Sequence, residues 1–281
     1  MVSTDWLASR LGTLGLKVVD ASWYLPGSGR DPGAEYVAGH IPGAAYFDLD
    51  AISDRTTPLP HMLPAAAEFA VRMSALGLSD TDQIVVYDDS GVNLSAPRAW
   101  WTFRAFGHEQ VSVLDGGLGK WRRELRPLET GAVVLPRGTF TARLNRAAVR
   151  DLAAVRDNLR TGAEQLVDMR SSGRFAGVEP EPRPGLRSGH VPGSLNLPFT
   201  DLVRADGTML PPDQLRLTLS RAGIDLSRPV IATCGSGTSA CALLLSLHSI
   251  GHSRTALYDG AWAEWGGRAD VPIESQPQPR S

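Results

Sequence analysis

The residues best suited to chemistry lie in one stretch, Cys234-Gly235-Ser236-Gly237-Thr238-Ser239. It follows a short β-prone run, Val230-Ile231-Ala232-Thr233, and precedes an apolar, helix-forming run that begins at Ala240. Strand, tight turn and helix place the cysteine first in the turn. Glycines let backbone N–H groups face inward, and the helix start adds partial positive charge. Both favour the thiolate form of a cysteine, which is the nucleophile. The chemistry expected at Cys234 is therefore covalent catalysis through sulfur. The plain alternative is a buried cysteine beside an ordinary strand-to-helix turn.

The other residues with reactive side chains add no second centre. Cys241 is the only other cysteine. On one helix the two sulfurs would sit roughly 10 Å apart along the axis, too far for a disulfide. Two unbridged cysteines fit a reducing cytoplasm, and Cys241 is expected in the core. His248 and His252 have helical i,i+4 spacing, but Gly251 between them ends the helix. No metal site is expected.

The elements that must position Cys234 occur twice. Leu16-Lys17-Val18-Val19-Asp20 answers to Gln165-Leu166-Val167-Asp168, and Gly39-His40-Ile41-Pro42-Gly43 to Gly189-His190-Val191-Pro192-Gly193. Ile84-Val85-Val86-Tyr87-Asp88 answers to Val230-Ile231-Ala232-Thr233-Cys234, and Leu114-Asp115-Gly116 to Tyr258-Asp259-Gly260. A repeat this long means duplicated domains rather than a solenoid. The expected division is a first domain over 1–125, a linker over 126–146 and a second domain over 147–281, with a loose tail at 276–281. Short apolar strands alternate with helical patterns at 65–75, 96–106, 147–159, 212–222 and 240–250. That alternation predicts an α/β fold in which each domain is a mainly parallel sheet with helices on both faces. In such sheets ligands bind beyond the carboxyl ends of the strands, where Cys234 falls. Asp88 takes the cysteine's place in the first copy, so that domain is expected to be non-catalytic and to wall a site at the domain interface.

Bulk composition narrows the partners. A chain of 281 residues with 42% hydrophobic and 21% charged residues is ordinary for a globular protein. A net charge of -2 gives no reason to expect nucleic acid or an acidic membrane surface. No apolar run is long enough to span a bilayer. The segment Met1-Val2-Ser3-Thr4-Asp5-Trp6 has neither a basic start nor an apolar core, so no leader is expected.

Several motifs, in order, carry a family resemblance. They are Asp20-Ala21-Ser22-Trp23, Gly39-His40-Ile41-Pro42-Gly43-Ala44, Ser53-Asp54-Arg55-Thr56, His61-Met62-Leu63-Pro64, Ser95-Ala96-Pro97-Arg98, Glu179-Pro180-Glu181-Pro182-Arg183 and the Cys234 loop. Over roughly residues 15 to 270 the chain resembles the two-domain rhodanese-like sulfurtransferases. Within them it is similar to the mercaptopyruvate group rather than the thiosulfate group. The thiosulfate group is expected to carry Arg and Lys after the cysteine, where this chain has Gly235 and Ser236. One departure is Gly237-Thr238-Ser239-Ala240, where the mercaptopyruvate group usually reads Gly-Val-Thr-Ala.

The resemblance implies sulfur transfer from 3-mercaptopyruvate through a Cys234 persulfide to a thiol, thioredoxin or cyanide, with release of pyruvate and without cofactor or metal. It carries substrate binding over to Arg174 and Arg183. The loop residues Gly235, Gly237, Thr238 and Ser239 are expected to bind the substrate as well, mainly through backbone N–H groups. A proton relay of Asp50, His61 and Ser236 would serve the departing enolate. Three rivals remain: thiosulfate as donor, a non-catalytic binding module, and a cysteine phosphatase. Ala240 stands where the phosphatase would need an arginine for phosphate.

Overall fold

The computed structural model describes residues 1–275; the expected loose tail, 276–281, lies outside them. The chain forms two compact units. The first comprises Met1–Thr56, Leu63–Asn145 and Val203–Met209, and the second Thr57–Met62, Arg146–Leu202 and the described residues from Leu210 onward. Each unit therefore includes a short segment from the sequence of the other repeat.

The first unit holds a four-stranded sheet of β1 (Leu16–Asp20), β2 (Ala45–Tyr46), β3 (Gln83–Tyr87) and β4 (Val111–Val113), in the order β2-β1-β3-β4. Every pairing is parallel. From Ile84 to Tyr87 β3 is buried without alternation, as a strand covered on both faces should be. Phe69, Phe103, Phe106 and Phe140 form an aromatic cluster in this unit. Residues 126–145 pack on the same unit: Phe140 joins the cluster, and Glu129 pairs with His40 through both backbone bonds.

The second unit holds β5 (Val149–Arg150), β6 (Gln165–Asp168), β7 (Leu195–Asn196), β8 (Val230–Thr233) and β9 (Thr255–Tyr258), in the order β5-β9-β8-β6-β7, again all parallel. The helix Ala240–Ser249 is buried at each position from Ala240 to Leu247, so its apolar residues circle the axis rather than forming a stripe. The repeat continues past the sheets. Trp121 Nε1 donates to Pro127 O and Trp265 Nε1 to Pro272 O, both at 2.8 Å. Glu274 pairs with His190 as Glu129 does with His40.

The α/β reading holds in both units. Its main error is the helix expected at 147–159. Arg146–Ala148 is a 3-10 turn, Val149–Arg150 is edge strand β5, and the helix starts only at Leu152. Asp151 causes the late start: its side chain accepts from Ala154 N and caps the helix there. The two-residue strands β2 and β7 escaped notice because they are too short to show a period. Among the described residues, no helix is long and apolar enough to cross a membrane.

Candidate active site

Cys234 directly follows β8 and is 2% exposed. The start of the helix Ala261–Trp265 clamps its turn: Trp262 N donates to Cys234 O and Ala263 N to Gly235 O, both at 2.9 Å. Gly237 adopts φ 77°, the left-handed geometry that lets the turn close. Cys241 lies in the first turn of the helix Ala240–Ser249, where its Sγ donates to Gly237 O at 3.3 Å. Among the described residues, the N–H groups of Gly235, Ser236, Thr238, Ser239 and Ala240 meet no protein acceptor.

The first unit shows what this turn does to the side chain on its leading residue. Asp88 follows β3 as Cys234 follows β8, and Leu118 N donates to Asp88 O at 3.0 Å just as Trp262 N does to Cys234 O. The Asp88 carboxylate accepts from Ser90 N at 2.9 Å, Ser95 N at 2.9 Å and Ala96 N at 2.7 Å, and from the Ser90 hydroxyl. A carboxylate at the leading position thus gathers three backbone N–H groups of the first unit's turn. In the second unit five loop N–H groups remain unbonded beside a cysteine.

His61 belongs to the second unit and is buried, with φ 60°. Its Nδ1 lies 3.0 Å from Ser236 Oγ and 2.8 Å from Thr238 Oγ1. The expected His61–Ser236 pair is therefore formed. The Thr238 hydroxyl, expected to matter less than its N–H, reaches the same nitrogen. Asp50 belongs to the first unit, on the short helix Leu49–Ile52, and accepts from Trp23 Nε1 at 3.0 Å.

Arg174 lies beside the turn: a Cβ built on Gly235 would come 2.9 Å from Arg174 Nη2. Its Nε and Nη2 both donate to Glu181. Arg183 sits half-buried in the loop between the helix Ser172–Ala176 and β7. Two residues that sequence reasoning missed hold Arg174 in place. Glu181, its side chain 2% exposed, also accepts from Arg170 Nη1 at 2.7 Å. Arg170 is fully buried, binds Asp168 and Gly189 O, and lies 4.2 Å from the Trp262 ring centroid. Burial opposes the charge of Arg170, but Asp168 and then Glu181 outweigh it, so its pKa is raised. The signal available in the sequence was the Arg at 170 against Ser22 in the first repeat.

Two copies of one α/β unit, with a cysteine-led turn in the second and an aspartate-led turn in the first, define the class. The rhodanese-like domain profile matches residues 3–124 and 151–268, and the chain belongs to the rhodanese-like family. It is 45% identical over 274 residues to human 3-mercaptopyruvate sulfurtransferase, covering 96% of this chain and 92% of that one. It is 43% identical over 271 residues to Chinese hamster (Cricetulus griseus) thiosulfate sulfurtransferase, covering 94% and 91%. The crystal structure of the 3-mercaptopyruvate sulfotransferase SseA from Escherichia coli superposes with a TM-score of 0.86 at 43% identity, covering 93% of this chain and 98% of that one.

Proposed function

We propose that this chain is a sulfurtransferase that takes sulfur from 3-mercaptopyruvate onto Cys234 and passes it to a thiol. The carrying observation is the contrast between the two turns. The N–H groups that close on the Asp88 carboxylate in the first unit have unbonded counterparts around Cys234. A terminal persulfide is an anion displaced outward from its residue, as a carboxylate is. Preorganised N–H donors and a helix start stabilise such charge without reorganisation.

In the first half-reaction the Cys234 thiolate attacks the donor's sulfur, forming an S–S bond as the donor's C–S bond breaks. The bonding pair leaves on carbon as the enolate of pyruvate. The proton of the donor thiol ends on that carbon through the Ser236–His61 pair, giving pyruvate and an anionic Cys234 persulfide. In the second, an acceptor thiol attacks the outer sulfur, takes it and restores the Cys234 thiolate. Glu181 occupies the Nε side of Arg174, while Nη1 keeps its hydrogens unbonded among the described residues. That outer edge suits the donor's carboxylate. Arg183 is the second carboxylate or oxo ligand.

The first unit, with Asp88 in the cysteine's place, has no nucleophile of its own there. Thioredoxin or a small thiol is the proposed acceptor. A cytoplasmic setting is consistent with two free cysteines.

Mass spectrometry after addition of donor tests the assignment. One extra sulfur on Cys234, and none in Cys234→Ser, is the expected result. Undiminished turnover in Cys234→Ser sinks the mechanism. Thiosulfate is the second reading, favoured by the 43% identity to a thiosulfate sulfurtransferase. Side-by-side rates with the two donors separate them.

A further inference from the structure

Two hydroxyls compete for one nitrogen in the second unit. Thr238 Oγ1 lies 2.8 Å from His61 Nδ1, Ser236 Oγ lies 3.0 Å from it, and the two oxygens are 3.5 Å apart. An imidazole nitrogen carries either one hydrogen or one lone pair, so it makes one good hydrogen bond at a time. The proton relay described above uses only Ser236. All three side chains are buried, where an unpaired polar atom is costly.

We propose that Thr238 is a positioning residue for His61: its hydroxyl, the nearer of the two to Nδ1, fixes the ring so that this nitrogen stays within reach of Ser236. The proposal rests on the sulfurtransferase reading and adds a residue to it. His61 is a non-glycine residue at φ 60°, a conformation that persists only where the surroundings over-determine it. The Thr238 hydroxyl is well placed for this task. Its backbone is tied down by Cys241 N donating to Thr238 O at 3.1 Å, and its branched Cβ restricts rotation.

The test uses Thr238→Val, which keeps the shape and removes the hydroxyl. Thr238→Ala is a second hydroxyl-free variant should valine disturb the turn, and Thr238→Ser restores the hydroxyl. Three quantities are read: the rate of pyruvate release in the first half-reaction, the KM for 3-mercaptopyruvate, and the 15N resonance of His61 Nδ1. Thr238→Val and Thr238→Ala are expected to slow pyruvate release about tenfold, with KM within about twofold of wild type. The Nδ1 resonance should move in both. Thr238→Ser should recover most of the rate and return the resonance. An unchanged rate in the two hydroxyl-free variants overturns the proposal, and so does an equal loss in Thr238→Ser, which would point to bulk rather than the hydroxyl. Wild-type protein that neither releases pyruvate nor loads sulfur would instead sink the sulfurtransferase reading. The Nδ1 resonance then judges the Thr238 bond alone, and an unmoved resonance overturns it.

Discussion

Glu181 grips Arg174 through Nε and Nη2 while also binding the buried Arg170 through Nη1. One carboxylate therefore sets the position of the proposed donor-binding arginine and neutralises a second arginine in the interior.

This arrangement separates two effects that mutation of the arginines alone would confuse. Arg174→Ala removes a charge-assisted contact of about 1.5–3 kcal/mol, so kcat/KM with 3-mercaptopyruvate should fall roughly 10- to 150-fold. Sulfur transfer from a preformed persulfide to a small neutral thiol should change little. An equal loss in both half-reactions would mean that Arg174 supports the turn rather than the donor. Glu181→Gln should cost stability as well, about 1.5–3 kcal/mol, because it weakens the charge-assisted bond to the interior Arg170, which keeps Asp168 as its counter-charge. Urea unfolding measures that cost.

Asp88 is expected to matter for folding and not for turnover. Its carboxylate accepts from three backbone N–H groups and one hydroxyl. Asp88→Asn turns one accepting oxygen into a donor that faces other donors. The loss should be about 1.5–3 kcal/mol in unfolding free energy, with kcat for pyruvate formation close to wild type. A loss of turnover as complete as that of Cys234→Ser would give the first unit a part in the chemistry.

Asp20 gives the first unit a pH dependence of opposite sign to the usual carboxylate. Burial pushes its pKa up from 3.8 to about 6; hydrogen bonds from Ser22 and Tyr87 oppose the rise and nearby Asp88 adds to it. The folded state thus holds this proton more tightly than the unfolded chain. Its contribution is fully present below about pH 4 and is lost as pH rises through about 6, a change of about 3 kcal/mol. Asp20→Asn removes the titration. The stability of Asp20→Asn relative to wild type should therefore rise between pH 4 and pH 7, and a constant difference across that range contradicts the assignment.

Donor choice should respond to the two small residues after Cys234. Gly235→Arg with Ser236→Lys brings cations close to the reacting sulfur, which favours the compact dianion thiosulfate. The same change harms mercaptopyruvate in two ways. It removes the hydroxyl that faces His61 Nδ1, and any side chain at 235 presses on Arg174 Nη2, only 2.9 Å from the Cβ position. Gly235 lies outside the left-handed region, so the obstacle there is Arg174 and not backbone strain. The ratio of efficiencies, thiosulfate over mercaptopyruvate, should rise tenfold or more, roughly the effect of one charged contact. A ratio that falls instead would show that the neutral turn does not select the donor.

The duplication, the parallel α/β units and the strand–turn–helix around Cys234 could be read from the amino-acid order alone. Each depends on short-range pattern: apolar runs of strand length, glycines at the turns, and motifs recurring at similar intervals. The edge strands β2 and β7 were not legible, because two residues show no period, and Asp151 moved a helix start that propensity placed several residues earlier. The site was only partly visible for a different reason. Cys234, Gly235 and Ser236 are neighbours in sequence, but the bonds that define their surroundings are not local. His61 reaches Ser236 and Thr238 from 175 and 177 positions away, and Arg170 matters through Glu181 and Trp262 rather than through its neighbours. Buried polar groups must find partners wherever the folded chain brings them. Which hydroxyl meets a histidine, and which side of an arginine stays unbonded, is decided by tertiary packing.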